Sequence, residues 1–213
     1  MSDSMTPEEV KDAMLTEMGP QLGVEFYELW NEVIWLHNKW LDYRSLYAKE
    51  NETVDLLNEA APQFFYGLQF IMWEDTLMHL CRITDPPQSC GHDNLVLRRL
   101  HNLVTDTNLK STLSPIIDDI ENKTAFARDW RHRRLAHLDL ALATARITKP
   151  LEIASRQLVE DALSSIRNFM NGIDNHYRNS TTPYEHGIQS LGGVGALIYT
   201  LQRGVDAQRS DLE

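Results

Sequence analysis

Apolar and aromatic residues recur every three or four positions over most of the chain, the period of an amphipathic helix rather than the alternation of a strand. Thr6 followed by Pro7-Glu8-Glu9 reads as a cap, a first-turn proline and acids at the positive end of the helix dipole. That predicts a short helix to about Met18, ended by Gly19-Pro20. Leu22, Phe26, Leu29, Val33, Leu36, Trp40, Tyr43 and Tyr47 then mark a helix over about 22–49, roughly 40 Å long. A second long segment, 53–83, carries Leu56, Leu57, Ala60, Phe64, Leu68, Ile71, Leu77 and Leu80 inward and bends at Pro62.

Residues 84–92 form the clearest loop, after which Asp93 is expected to cap a helix through Leu95, Leu97, Leu100 and Val104 to about Thr105. Ser114-Pro115 reads as the start of another helix, whose inward stripe is Ile116, Ile117, Ile120, Thr124 and Ala127. Continued, that stripe reaches Arg131, Arg134 and Leu138. Arginines on an apolar register must snorkel, pair with acids, or face another subunit or an anion, because an isolated buried charge costs too much. Pro150 precedes a long helix to about 177 with Leu151, Ala154, Leu158, Ala162, Ile166, Phe169 and Ile173 inside. A closing helix over 184–201 is weakened by Gly187, Gly192, Gly193 and Gly195, and residues 208–213 are expected to be mobile.

Long helices joined by short turns predict an all-α, up-and-down bundle with additional terminal helices. The length, 213 residues, suits one helical domain over 1–213, with a core at about 20–180 and a C-terminal extension at about 183–205. Composition changes the picture in one respect. Asp and Glu number 31 against 20 Lys and Arg, a formal charge of -11 that repels nucleic acid and anionic membranes at long range and excludes a polybasic binder. The two cysteines, Cys81 and Cys90, suit a reducing compartment; with no signal-like start and no long apolar span, the expectation is a cytoplasmic protein without membrane contact.

Against that acidic mean, residues 128–139 gather Arg128, Arg131, Arg133, Arg134, His132 and His137, the one place where phosphate would be attracted. On an ideal helix Arg133 and His137 share a face, whereas Arg131 and His137 stand about 9 Å apart along the axis. One helix places that pair poorly for joint chemistry, so a second copy or a bound polymer would complete it. Other constellations are weaker. His79, Cys81, Cys90 and His92 fit no familiar zinc spacing. Gly192-Gly193-Val194-Gly195 lacks the Lys-Ser/Thr ending of a nucleotide loop, and Glu74-Asp75 lacks the histidine companions of a di-iron bundle. Trp30, Trp35, Trp40 and Trp73 read as packing residues, while Trp130, beside Arg131, is the candidate for stacking on a base.

The run Arg131-His132-Arg133-Arg134-Leu135-Ala136-His137 resembles the signature of the HEPN superfamily: an arginine, a polar residue, variable positions and a histidine. The extension Ala136-His137-Leu138-Asp139, with Arg98-Arg99-Leu100 following Asp85, is similar to the abortive-infection (AbiU-type) HEPN-like bacterial proteins. The resemblance implies a helical homodimer with the two motif helices facing across a symmetry axis, and metal-independent RNA cleavage without a cofactor. Arg131 and His137 match the defining positions and His132 the polar one, a catalytic set of Arg131, His132 and His137. Arg128, Arg133 and Arg134 lie outside the minimal pattern and are assigned to RNA phosphate by charge alone. Phage defence or toxin action, with an antitoxin or regulatory partner, is the implied setting. A noncatalytic helical interaction module is the alternative.

Overall fold

Thr6 and Glu9 close a reciprocal capping box, the Thr6 hydroxyl accepting from the Glu9 amide and the Glu9 carboxylate from the Thr6 amide, and so begin α1 (Pro7–Met18). Gly19, at φ +83°, ends it and Pro20 opens α2 (Pro20–Tyr47). The computed structural model describes residues 5–136, 139–144, 146, 150–187 and 192–211. The molecule is an all-α helical bundle with added terminal helices; the described strands are the two-residue arms of one hairpin, β1 (Gln88–Ser89) and β2 (His92–Asp93). The remaining helices are α3 (Asn51–Ala60), α4 (Pro62–Thr84), α5 (Leu97–Leu103), α6 (Thr107–Lys123), α7 (Ala125–Trp130), α8 (Leu140–Ala143), α9 (Arg156–Arg178) and α10 (Val194–Ser210).

The chain falls into two compact units, with α2 and α4 each contributing to both. The unit formed by residues 1–34 and 77–184 is organised by α6 against α9. Leu109, Leu113, Ile117 and Ile120 bury one face of α6, and Val159, Ala162, Leu163, Ile166, Phe169, Met170 and Ile173 bury one face of α9. Apart from Ala162, each such side chain contributes about 1.5–3 kcal/mol when fully removed from water. At Gly172 an added Cβ would lie 3.1 Å from Leu113, so this residue keeps the two helices close. The unit formed by 35–76 and 185–213 packs Leu46, Leu57 and Phe65 with Leu68, Met72, Val194, Ile198 and Leu201.

Three boundaries differ from the sequence reading. Asp106, not Ser114, caps α6, accepting from the Leu109 amide at 2.7 Å, and Pro115 lies inside the helix. The buried stripe from Leu109 to Ile120 outweighs the one backbone bond that proline removes. Asp93 does not cap a helix: it pairs with Gln88 in the hairpin, whose turn uses φ of +50° at Cys90 and +81° at Gly91, and α5 starts after Val96. Finally, Tyr184–His186 is a short 3-10 turn, and the closing helix begins at Val194 and runs on to Ser210, where Arg209 pairs with Glu59.

Candidate functional site

The motif segment is positioned by the end of α6. Thr124, fully buried, donates its hydroxyl to the Ile120 carbonyl at 2.8 Å, and α7 restarts beyond it with Phe126 and Ala127 buried. Those two side chains fix the rotation of α7 and so aim Arg128 and Arg131, one helical step of three apart, at the end of α4. Arg128 donates to the Thr84 hydroxyl at 3.2 Å, to the Thr124 hydroxyl at 2.8 Å and to the Glu121 carbonyl. Its guanidinium ties the end of α6 to the end of α4.

Arg131 meets the next residue along. Its Nη1 donates to both oxygens of Asp85, at 2.7 and 2.5 Å, with the two side chains only 20% and 23% exposed. Its Nη2 lies 3.0 Å from His132 Nε2. Guanidinium has only donors, so Nε2 must be the accepting nitrogen and the His132 ring carries its proton on Nδ1. Asp85, Arg131 and His132 thus form a continuous polar chain, and His132 is exposed at its outer end. Cys81, one turn before Asp85, is buried in the same wall; burial raises its thiol to about 11, against opposing pull from Arg131 and Arg128, so it is an inert packing residue at neutral pH.

The ideal α-helical geometry expected of the motif gives way at its start, over Arg131–Leu135. Arg131–Leu135 is a π-helical turn, closed by the Ala136 amide on the Arg131 carbonyl at 2.9 Å. The wider turn rotates the register, so Arg134 does not continue the buried stripe with Arg131: it is exposed, with its guanidinium 5.6 Å from the Trp130 ring centroid. Arg133 instead turns back to Asp129, 3.3 Å away, and donates to the Pro150 carbonyl at 3.0 Å. Asp129 accepts the Glu152 amide at 2.9 Å, and the Trp130 indole donates to the Glu152 carbonyl at 2.8 Å. Residues 150–152 are therefore bound along the motif turn by three side chains. His137 and Leu138 lie outside the described residues.

Asp85 also faces a cleft of about 460 Å³, lined with it by Glu28, Asn31, Glu32, Arg82, Asn94 and Leu95. The Arg131–Asp85 pair is thus one side chain from open space. The family described as AbiU2, a HEPN family, matches residues 20–193, which include the whole of this arrangement. The chain belongs to the HEPN AbiU2 family. No curated protein and no solved structure matches it.

Within this AbiU2 chain the residues singled out by sequence are only partly united. Arg131 and His132 touch; Arg128 and Arg133 are engaged with backbone and carboxylate groups of the chain; Arg134 stands over Trp130. Asp85 escaped the sequence reading as a site residue. Its signal is Thr84-Asp85-Pro86-Pro87, an acid that leaves a helix just before a proline and is therefore held extended. Among the described residues no three His, Cys, Asp or Glu side chains group to hold a metal: His79 is buried 3.0 Å from Glu32, and Cys90 is exposed in the hairpin turn. Among the described residues no helix is long and apolar enough to cross a membrane.

Proposed function

We propose that this AbiU2 protein is a metal-independent endoribonuclease acting as a homodimer, the effector of a phage-defence or toxin system held in check by an antitoxin or regulatory protein. The observation that carries the reading is the Asp85–Arg131–His132 chain, in which Arg131 and His132 open a π-helical turn inside a HEPN signature and Asp85 borders a cleft. His137 takes the proton of a ribose 2'-hydroxyl, the oxygen attacks phosphorus, and the 5'-oxygen leaves with a proton from the second copy's histidine. Arg131 supplies donors to the nonbridging oxygens, and the Nδ1–H of His132 adds one more. The products are a 2',3'-cyclic phosphate and a 5'-hydroxyl end; DNA, lacking the nucleophile, is inert. The chemistry needs only a base, an acid and cations.

A second reading, a noncatalytic interaction module, is favoured by the fact that Arg128, Arg131 and Arg133 all bond to groups of their own chain. Incubating the protein with RNA without added metal, alongside Arg131→Ala and His137→Ala, separates the two. Cleavage lost in both variants, with cyclic-phosphate ends in wild type, supports the ribonuclease. RNA left intact by wild-type protein of verified fold and assembly supports the module.

A further inference from the structure

The cleft that Asp85 borders lies within one of the two units, between α2, the end of α4 and the stretch that leaves β2. Its walls are held from behind. On α2, Glu32 Oε2 lies 3.0 Å from Arg82 Nη2 and 3.0 Å from Nε2 of buried His79, both on α4. Arg99 spans the opposite side, donating to Glu25 of α2 at 2.6 Å and reaching Asp93 of β2 at 3.3 Å. Asn94 is bound by its own loop. Its side-chain amide donates to the Pro86 carbonyl at 2.8 Å and to the Ser89 hydroxyl at 2.9 Å, and its backbone amide to the Pro87 carbonyl at 2.8 Å. The next residue, Leu95, is nevertheless 39% exposed, and it lines the cleft with Ile83. At about 460 Å³ the space falls in the range of about 300–1,000 Å³ typical of small-molecule sites.

We infer that this cleft is a guanine site, which takes the base of a nucleotide whose phosphate lies at Arg131. Three features select that ligand. Each carboxylate at the cleft already has a cation: Lys11 on Glu28 at 2.9 Å, Arg82 on Glu32 and Arg131 on Asp85. A basic side chain therefore finds no net counter-charge there, whereas a neutral ligand with N–H donors does find acceptors, because a carboxylate offers about four lone-pair sites. The second feature is order. Glu28 and Glu32 stand one turn apart on α2, and the Arg82 guanidinium is joined to Glu32, which sets acceptor, acceptor and donor side by side. Among the RNA bases, the Watson–Crick edge of guanine alone puts two neighbouring donors, N1–H and the 2-amino group, beside an oxygen acceptor, O6. Uracil has one donor between two acceptors, and adenine and cytosine each have one donor group beside acceptors. The third feature is the apolar wall: a flat ring lying on Ile83 and Leu95 covers the exposed leucine. The position of the phosphate rests on the role proposed for Arg131, whereas base selection by the cleft does not depend on cleavage.

Calorimetric titration of the full chain with 3'-GMP, 3'-AMP, 3'-CMP and 3'-UMP tests it. 3'-GMP is expected to bind at least about 10-fold more tightly than the other three, and than 3'-IMP, which lacks the 2-amino group. Glu32→Gln and Arg82→Ala are each expected to erase that preference with unchanged helical circular dichroism. Arg82, its side chain 62% exposed, is the position where substitution disturbs the fold less. Equal affinities for the nucleotides, no binding of 3'-GMP up to millimolar concentration, a guanine preference untouched by both substitutions, or tighter binding of argininamide than of 3'-GMP, the mark of a site for a basic side chain, would each overturn the proposal. Guanine preference with RNA left intact would count against the ribonuclease alone, and RNA cleavage without guanine preference against the guanine site alone.

Discussion

Arg131 and Asp85 stand 46 residues apart in sequence and 2.5–2.7 Å apart in space, joined by an Nη1 that donates to both carboxylate oxygens. Asp85 neutralises a guanidinium that is four-fifths covered, and in doing so leaves Nη2 directed at His132. Removing one partner of such a pair strands the other charge. Asp85→Ala is therefore expected to destabilise the fold by about 1–3 kcal/mol and Arg131→Ala by a similar amount. The double variant should lose clearly less than the sum of the two, with a coupling of about 1–2 kcal/mol in urea unfolding. Strict additivity would show that the pair is not formed in solution.

Arg131→Lys tests the geometry rather than the charge. A lysine ammonium is a point charge and cannot span Asp85 on one nitrogen and His132 on another. The expected outcome is stability within about 1 kcal/mol of wild type but RNA cleavage reduced at least about 100-fold. Cleavage at the wild-type rate would remove Arg131 from the phosphate-binding role.

Asp129, Trp130 and Arg133 each hold the backbone of residues 150–152. In Asp129→Ala the Glu152 amide loses its acceptor and Arg133 its carboxylate, so exchange of that amide with deuterated water should accelerate at least about 10-fold while the α9 amides keep their protection. An unchanged Glu152 rate would mean that the segment is held by other contacts.

How much of this could be read from the residues depends on whether a feature is local. The Thr6 cap, the break at Pro62 and the inward stripes of α2, α6 and α9 all follow from periodicity and capping chemistry within a few residues. Asp93 and Ser114-Pro115 are each a good helix start in isolation; a hairpin pairing claims the first, and Asp106 lies about two turns upstream of the second. Arg209, in the stretch expected to be mobile, lies on α10 and pairs with Glu59, 150 residues away in sequence, a contact no local pattern announces. The candidate site divides in the same manner. The basic run is local and visible, whereas the Asp85 counter-charge is a tertiary contact, and Arg131-His132-Arg133-Arg134-Leu135 carries no glycine or proline to announce a π-turn. That turn decides which arginines point outward.

The two cysteines should separate cleanly by reactivity. Cys90 is exposed at the hairpin turn, while Cys81 is buried with its thiol raised to about 11. One equivalent of an aromatic disulfide reagent should react promptly at pH 8, and the second only on unfolding or as the pH approaches about 11. Two fast thiols in the native protein would mean that the wall behind Arg131 and Asp85 opens.

Asp174 carries the clearest pH dependence of stability. It is 2% exposed on α9, its Oδ1 lies 3.4 Å from Arg178, and burial raises its carboxyl above the ordinary range despite that arginine. A raised folded value means that the folded state holds the proton more tightly than the unfolded chain does. The associated stability is present below the unfolded carboxylate value of about 3.9 and is lost as the pH rises from there through the folded value. Asp174→Asn keeps the shape and removes the ionisation. At pH 8 it should therefore unfold at a higher urea concentration than wild type, with the gap closing as the pH falls below about 4. A variant less stable than wild type at pH 8 would show that the Arg178 pair outweighs the desolvation of Asp174.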